Sequence, residues 1–415
     1  MKYKNIIENF FSLFSLQIFN YILPLITFPY LVRILGPDKF GLISFAQAFA
    51  TYFILITDYG FNFSAVRDIA INRENKEKVS IIVFSVYSVK FILFFLSFII
   101  YLIVVYNISK FYKDINIYLF SFLTVLGNVL LPVWFFQGIE KMKYITISNI
   151  LIKFLFVILI FLLIKKENDY IYVPLIYSLC NILVGLIGIF FILCKFKISI
   201  ILPNLNEIIN QIKNGWNIFL STIGISFYTN SNTFILGLFT DNIIVGYYSA
   251  AEKIVRAIQA LVYPIAQALY PYLSKLAIDN RKNALIFLKK VGTIIIFSTF
   301  FISFFLFIFS KEIIILLLGK KYISSIIVIK ILAFLPFIVS VATVFANLFL
   351  LSFGYSKQWS NIILSASILS IFGAIVFVFF LKLNMIGIAI NVLITEMIIL
   401  LLSYFFFREL KNANR

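Results

Sequence analysis

The chain contains no histidine. A histidine general base, a Ser–His–Asp constellation and a histidine metal site are therefore excluded. There are only two cysteines, Cys180 and Cys194, and both lie in one apolar stretch. On a helix their spacing places them about 21 Å apart, whereas a disulfide needs Cα atoms within about 7 Å, so no bridge joins them. No phosphate-cradling G-x-x-x-x-G-K-[ST] run occurs, which removes a nucleotide-hydrolysing motor. Charge is scarce as well. Only 13% of residues are Asp, Glu, Lys or Arg and 62% are hydrophobic. Soluble chains carry about 25% charged and roughly 45–50% apolar residues. With a mean hydropathy of +1.05, a soluble fold of this size would expose far too much apolar surface.

What is present is a succession of long apolar runs. About 20 apolar residues at about 1.5 Å each cross a hydrocarbon core of roughly 30 Å. Twelve runs of this kind are legible, at 10–32, 41–61, 81–105, 115–137, 147–164, 171–194, 215–239, 246–270, 291–309, 325–351, 359–381 and 385–406. The first is too long for a secretory leader and lacks a small-residue cleavage site, so it reads as a retained helix. The connections are short, and no soluble domain separates the runs. The expected class is an all-α polytopic membrane protein of about twelve transmembrane helices.

The net charge is +18, from 35 basic and 17 acidic residues. Nucleic-acid binding is one reading of such an excess. In a membrane chain, cationic cytosolic loops explain it better, and no nucleic-acid partner is expected. With both ends cytosolic, cytosolic segments hold about 20 Lys and Arg against about 10 on the opposite side, which favours N-in and C-in. Trp134, Trp216 and Trp359 then all fall at cytosolic span ends, the headgroup level that Trp favours.

A repeat is visible. Gly41-Leu42-Ile43-Ser44-Phe45-Ala46-Gln47 and Gly246-Tyr247-Tyr248-Ser249-Ala250-Ala251-Glu252 share G-x-x-S-x-A-[Q/E] at an offset of 205 residues. They open the second and eighth runs. Two six-helix lobes related by a parallel pseudo-repeat follow, an arrangement common in transporters. The lobes are expected at 1–201 and 215–415, joined by an interfacial helix over 202–214. There Leu205, Ile208, Ile209 and Ile212 share one face, suited to the membrane interface or to core packing.

Ionisable residues inside the runs are costly and mark candidate sites. The basic ones are Lys90, Lys153, Lys253, Arg256 and Lys330, and the clear acidic ones are Glu252 and Glu396. The cationic balance points to an anionic substrate in a central cavity. Each residue has a plainer reading. Lys153 and Lys330 lie near span ends, where a lysine stem snorkels. Glu252 and Arg256 are four apart and can neutralise each other. Glu396 could carry a coupling proton or hydrogen-bond a neighbouring helix. Pro24, Pro132, Pro264 and Pro336 interrupt runs and predict kinks.

Residues Phe28-Pro29-Tyr30-Leu31-Val32-Arg33-Ile34-Leu35-Gly36-Pro37-Asp38-Lys39-Phe40-Gly41-Leu42 resemble the N-terminal signature of O-antigen and polysaccharide flippases. So do Asp58-Tyr59-Gly60-Phe61-Asn62 and Arg67-Asp68-Ile69-Ala70. Gly246 to Ile254 and Ala268-Leu269-Tyr270-Pro271-Tyr272 resemble the second-half signature. The resemblance implies the multidrug/oligosaccharidyl-lipid/polysaccharide exporter superfamily. It implies flipping of an undecaprenyl-diphosphate-linked oligosaccharide to the periplasmic leaflet of a bacterial inner membrane, with no bound cofactor. Under this reading Lys90, Lys153, Lys253, Arg256 and Lys330 line a substrate cavity. Arg33, Asp58, Arg67 and Asp68 form gate pairs, and Glu252 or Glu396 couples transport to a proton or cation. A glycan polymerase and a chain-length regulator are the expected protein partners, beside membrane lipid. A polymerase or ligase of the same pathway is the enzyme alternative, but such proteins typically carry a large periplasmic loop. A multidrug exporter is the other, and the sign of the buried charge argues against it.

Overall fold

The computed structural model describes residues 2–412, with side chains from Ile26 to Leu410 apart from a few positions between 217 and 268. Every regular element among the described residues is helical. Nine helical segments among them are long and apolar enough to cross a membrane. Their surfaces suit lipid rather than water. Ile99, Ile103, Leu162, Phe297 and Phe372 are each more than half exposed, and an apolar surface this extensive is stable only in hydrocarbon. The protein is an all-helical, multi-pass membrane protein.

Several runs that read as single helices are broken, and each break has a local cause. The helix Lys2–Asp58 is interrupted at Gly36, whose φ of 66° is readily reached only without a Cβ. The break falls between the first and second expected spans. The run at 115–137 divides into Ile115–Leu130 and Val133–Gly138. Pro132 has no N–H to give the carbonyl of Asn128 four residues earlier. Leu131 N–H takes that carbonyl in a tighter turn at 3.2 Å. The run at 246–270 divides into Asn242–Gln259 and Val262–Asp279. The run at 325–351 divides into Ser325–Leu332 and Leu335–Thr343, with Pro336 in the opening turn of the second piece. There the Phe337 N–H, free at a helix start, donates to the Ser303 hydroxyl at 3.2 Å. The second piece continues into a π-helical turn over Val344–Leu351. The side chains of Pro24 and Pro264 lie outside those described.

The chain divides into two compact units. The first comprises Met1–Leu35 and Leu42–Ile223, the second Gly36–Gly41 and Gly224–Arg415. The first unit's core gathers Phe61, Ile69, Val86, Tyr87, Trp134, Phe135 and Phe136. Trp134 is wholly buried there, with its ring edge-on to Tyr87 at 5.5 Å. It is a packing residue, not a headgroup anchor as its position at a span end suggested. Trp216, by contrast, is 48% exposed. The second unit's core gathers Leu273, Ala284, Leu288, Leu348, Phe349 and Ala366.

Within the region at 202–214, helix begins only at Leu205 and runs on as Leu205–Phe239, and the boundary between units falls at Ile223/Gly224. Its apolar Leu205, Ile209 and Ile212 are exposed, while the polar Gln211 is buried.

The two glycines that open the repeated motif meet within the second unit. A Cβ on Gly41 would strike the Asn242 carbonyl oxygen and lie 2.6 Å from the Gly246 nitrogen. A Cβ on Gly246 would strike the carbonyl oxygen of Pro37. Backbone faces backbone here, so no side chain can move aside. Small residues at membrane helix crossings serve this kind of approach. Gly246→Ala should therefore force the segments apart, at the ~1–3 kcal/mol typical of overpacking. The expected result is a lowered thermal unfolding midpoint of the detergent-purified protein, and an unchanged midpoint would contradict the close approach.

Candidate functional site

The first polar cluster lies in the first unit. Lys90, on the helix Lys76–Asn107, has a side chain only 1% exposed. Its Nζ lies 3.2 Å from Asp58 Oδ1 and donates to the Asn128 carbonyl at 3.4 Å. That carbonyl is the one Pro132 cannot serve, and it also accepts from the Leu131 N–H. Asp58 stands at the end of the helix Lys2–Asp58, and its Oδ2 accepts from Asn62 Nδ2 at 3.4 Å. Lys90 and Asp58, which the sequence suggested for cavity and gate, thus form one ion pair. The Asn128 side-chain oxygen beside them is buried without a hydrogen-bond partner. The neighbouring break at Tyr59 and Gly60 has φ values of 47° and 77°, and the Tyr59 ring stacks on Phe219 at 4.5 Å.

Arg67 and Asp68 diverge. Arg67 is exposed. The Asp68 carboxylate accepts from Gln211 Nε2 and Asn214 Nδ2, each at 3.4 Å. It ties the helix Phe61–Ile71 to the start of Leu205–Phe239. Arg33 is exposed near the Gly36 break, Lys153 is half-buried on Lys143–Leu163, and Lys330 is exposed on Ser325–Leu332.

The second cluster lies in the second unit. On the helix Asn242–Gln259, Arg256 Nε lies 3.4 Å from Glu252 Oε1, the pairing expected of residues four apart. Arg256 Nη1 also donates to Gln259 Oε1 at 3.2 Å. Thr233 Oγ1 donates to Glu252 Oε2 at 3.5 Å. Lys253 points elsewhere: it is exposed, with Nζ 4.9 Å from the centre of the Phe40 ring.

Arg256 and Gln259 line a cavity of about 340 Å³, together with Asn347, Trp359 and Glu396. Apolar residues including Val339, Ala342 and Ile399 complete the wall. The structure therefore brings Arg256 and Glu396 to one cavity. It does not bring Lys253 or Lys330 to that cavity's lining.

Sequence reasoning missed Asn128, Gln211, Asn347 and Trp359 as neighbours of these charges. Uncharged amides inside apolar runs were the available signal. A further instance is Asn391, whose Nδ2 donates to the Ser370 carbonyl at 2.9 Å and to Asn232 Oδ1 at 3.3 Å. This network pins three helices of the second unit. Among the described residues no group of His, Cys, Asp and Glu is arranged to hold a metal ion.

The Lys90–Asp58 pair yields a stability prediction. Removing one partner of a buried pair costs about 3–5 kcal/mol because the other charge is left uncompensated. Lys90 is the more deeply buried partner, so Asp58→Ala should destabilise more than Lys90→Ala. The double variant Lys90→Ala/Asp58→Ala should lose much less than the sum of the two single losses. Thermal unfolding of the four proteins checks this, and strictly additive losses would mean the pair is not coupled.

Residues 6–277 match the model of the family described as "Polysaccharide biosynthesis protein". The chain is 33% identical over 393 residues to the "Putative O-antigen transporter" of Escherichia coli (strain K12), covering 94% of each chain. It is 29% identical over 396 residues to the protein of the same name from Shigella dysenteriae, covering 95% of this chain and 98% of that one. Among solved structures, it superposes on an inward-facing multidrug resistance MATE family transporter of the MOP superfamily with a TM-score of 0.76. That likeness has 14% identity and covers 94% of this chain and 95% of the other. The lipid II flippase MurJ, in its inward closed conformation, gives a TM-score of 0.69 at 15% identity, over 97% and 87% of the two chains. The fold is that of these transporters, and by sequence the chain belongs to the polysaccharide biosynthesis protein family.

Proposed function

We propose that the protein flips undecaprenyl-diphosphate-linked O-antigen repeat units from the cytosolic to the periplasmic leaflet of a bacterial inner membrane. The observation that carries this reading is the end-to-end similarity to the Escherichia coli protein, 94% of both chains at 33% identity. The helical fold shared with transporters supports it. Twelve crossings in two six-helix lobes, N-in and C-in, accommodate the described helices. The segment Ile26–Ile71 has 46 residues, about 70 Å at about 1.5 Å per residue, which exceeds one crossing.

The physical problem is the head group. A diphosphate and a hydrated glycan cannot cross hydrocarbon bare, because each polar group would be desolvated. Alternating access through a hydrated, cationic cavity removes most of that cost, while the polyprenyl tail stays in lipid. Lys153, Lys253 and Lys330 are the basic residues proposed to draw the anionic head group, whereas Lys90 is already paired to Asp58 and Arg256 to Glu252. Arg33, Asp58, Arg67 and Asp68 are the proposed gate. Glu252 or Glu396 is the proposed carrier of a coupling proton or cation. The polymerase and the chain-length regulator of the same glycan are the proposed partners that receive the product.

Expression in a strain lacking its own O-unit flippase tests the reading. The expected outcome is restored surface glycan and loss of the accumulated lipid-linked intermediate. Inserted protein that rescues none of a panel of lipid-linked glycans would overturn it. In a rescued strain, Lys253→Ala should slow clearance about tenfold, the scale of one charge-assisted hydrogen bond of ~1.5 kcal/mol, and Lys253→Arg should retain it. Equal clearance by Lys253→Ala would remove Lys253 from the path.

A further inference from the structure

The cavity of the second unit has a composition that the charge argument alone does not anticipate. Its lining holds one guanidinium, Arg256, and one carboxylate, Glu396. The guanidinium is already engaged by a second carboxylate, Glu252, at 3.4 Å. Two carboxylates against one cation make a poor cradle for a diphosphate or an acidic sugar. The remaining polar side chains include the Thr343 hydroxyl and the amides of Gln259 and Asn347, each able to donate and accept. Trp359, which is partly buried, supplies a flat apolar face. The π-helical turn over Val344–Leu351 carries Ala346 and Asn347, two of the lining residues. Such turns interrupt helices often at functional sites.

The size is equally informative. About 340 Å³ sits at the lower end of the ~300–1,000 Å³ of small-molecule pockets. A space of this size suits a single sugar ring. A mostly apolar wall with a few convergent polar groups is the general form of a specific small-molecule site.

We propose that this cavity is a recognition subsite for one uncharged pyranose ring of the cargo glycan, with Trp359 stacking against the ring and Gln259, Asn347, Arg256 and Glu396 holding its hydroxyls. The proposal rests on the flippase reading and gives it a specificity element. A pyranose suits the lining chemically. Its C–H face is apolar and matches indole, while each equatorial hydroxyl both donates and accepts. Arg256 donates, the Glu396 carboxyl oxygens accept, and the two amides do both. A polyprenyl tail offers no hydrogen-bonding group to any of these four side chains. A uronic acid would bring a further carboxylate to a wall that already carries Glu396, beside the Glu252 that engages Arg256.

Saturation-transfer NMR on the full-length, detergent-purified protein tests this. The probes are methyl glycosides of neutral hexoses, 6-deoxyhexoses and N-acetylhexosamines, with methyl glucuronide and tetraphenylphosphonium as contrasts. At least one neutral glycoside is expected to give a saturable signal at millimolar concentration. Methyl glucuronide should bind at least about tenfold more weakly, the sign expected for like charges brought together. Trp359→Leu should abolish the signal. Asn347→Ala and Gln259→Ala, milder changes that keep the test valid if the first variant does not fold, should each weaken it severalfold.

The proposal is overturned if no neutral glycoside saturates, if methyl glucuronide binds as well as they do, or if the amide variants leave the signal unchanged. Displacement of the glycoside by tetraphenylphosphonium at lower concentration would also overturn it, in favour of an organic-cation site. The flippase reading is judged separately by complementation. Rescue with no glycoside signal removes the subsite alone, whereas a glycoside signal without any rescue keeps the subsite and removes the flippase reading.

Discussion

A polar group in hydrocarbon is stable only where a partner lies within reach. This constraint governs where the interior charges and helix breaks of this chain lie. Pro132 takes an N–H away from the Asn128 carbonyl, and Lys90 Nζ lies 3.4 Å from that oxygen. The lysine in turn would be untenable alone at 1% exposure, and Asp58 stands 3.2 Å away. The Tyr87 hydroxyl donates to the adjacent Leu130 carbonyl at 3.2 Å. A proline, a cation, a phenol and a carboxylate spread over some eighty positions of the sequence are thus parts of one local solution. Asn391, reaching Ser370 and Asn232, solves the same problem in the second unit without charge.

The second constraint is steric. Where two helices must approach closely, side chains have to disappear, and Gly41 and Gly246 are the clearest case. In the sequence they are only the opening letters of a weak repeat. Their mutual contact gives the repeat a physical meaning: the same residue type is needed at both positions because each backbone packs against the other's neighbourhood. Gly36 has a different task. It is where the long N-terminal helix turns aside with a positive φ, and the six residues from Gly36 to Gly41 pack with the second unit instead of the first.

The class of the protein was legible in composition because hydropathy is a bulk property: 62% hydrophobic residues gathered in long runs demand a hydrocarbon environment. The Glu252–Arg256 pair was also legible, since helical spacing alone puts residues four apart together. Tertiary pairing was not. Lys90 and Asp58 carry no periodic relation, and only the packed helices reveal them as a pair. The same holds for Arg256 and Glu396, separated by 140 positions and joined by one cavity. Trp134 shows the opposite error. A span-end tryptophan reads as a headgroup anchor, but in this chain the helix breaks at Pro132 and turns the indole into the core. The amides carry no charge to set them apart within an apolar run, although an unpaired amide in lipid is costly for the same reason as a charge.

A basic residue within a span therefore carries two distinct messages. Its survival there says only that its charge is compensated. Its availability to a ligand depends on whether compensation leaves part of it uncovered. Lys90 is sealed, with a carboxylate and a backbone carbonyl around its ammonium and a 1% exposed side chain. Arg256 is compensated as well, yet its side chain remains 28% exposed and forms part of a cavity wall. The guanidinium permits this because its five donors point along a planar fork. Glu252 and Gln259 engage Nε and Nη1 along that fork. A lysine ammonium paired to the same depth presents far less. On that ground Arg256, rather than the more deeply buried Lys90, is the interior cation of the two best able to meet a polar cargo without giving up the contact that stabilises it.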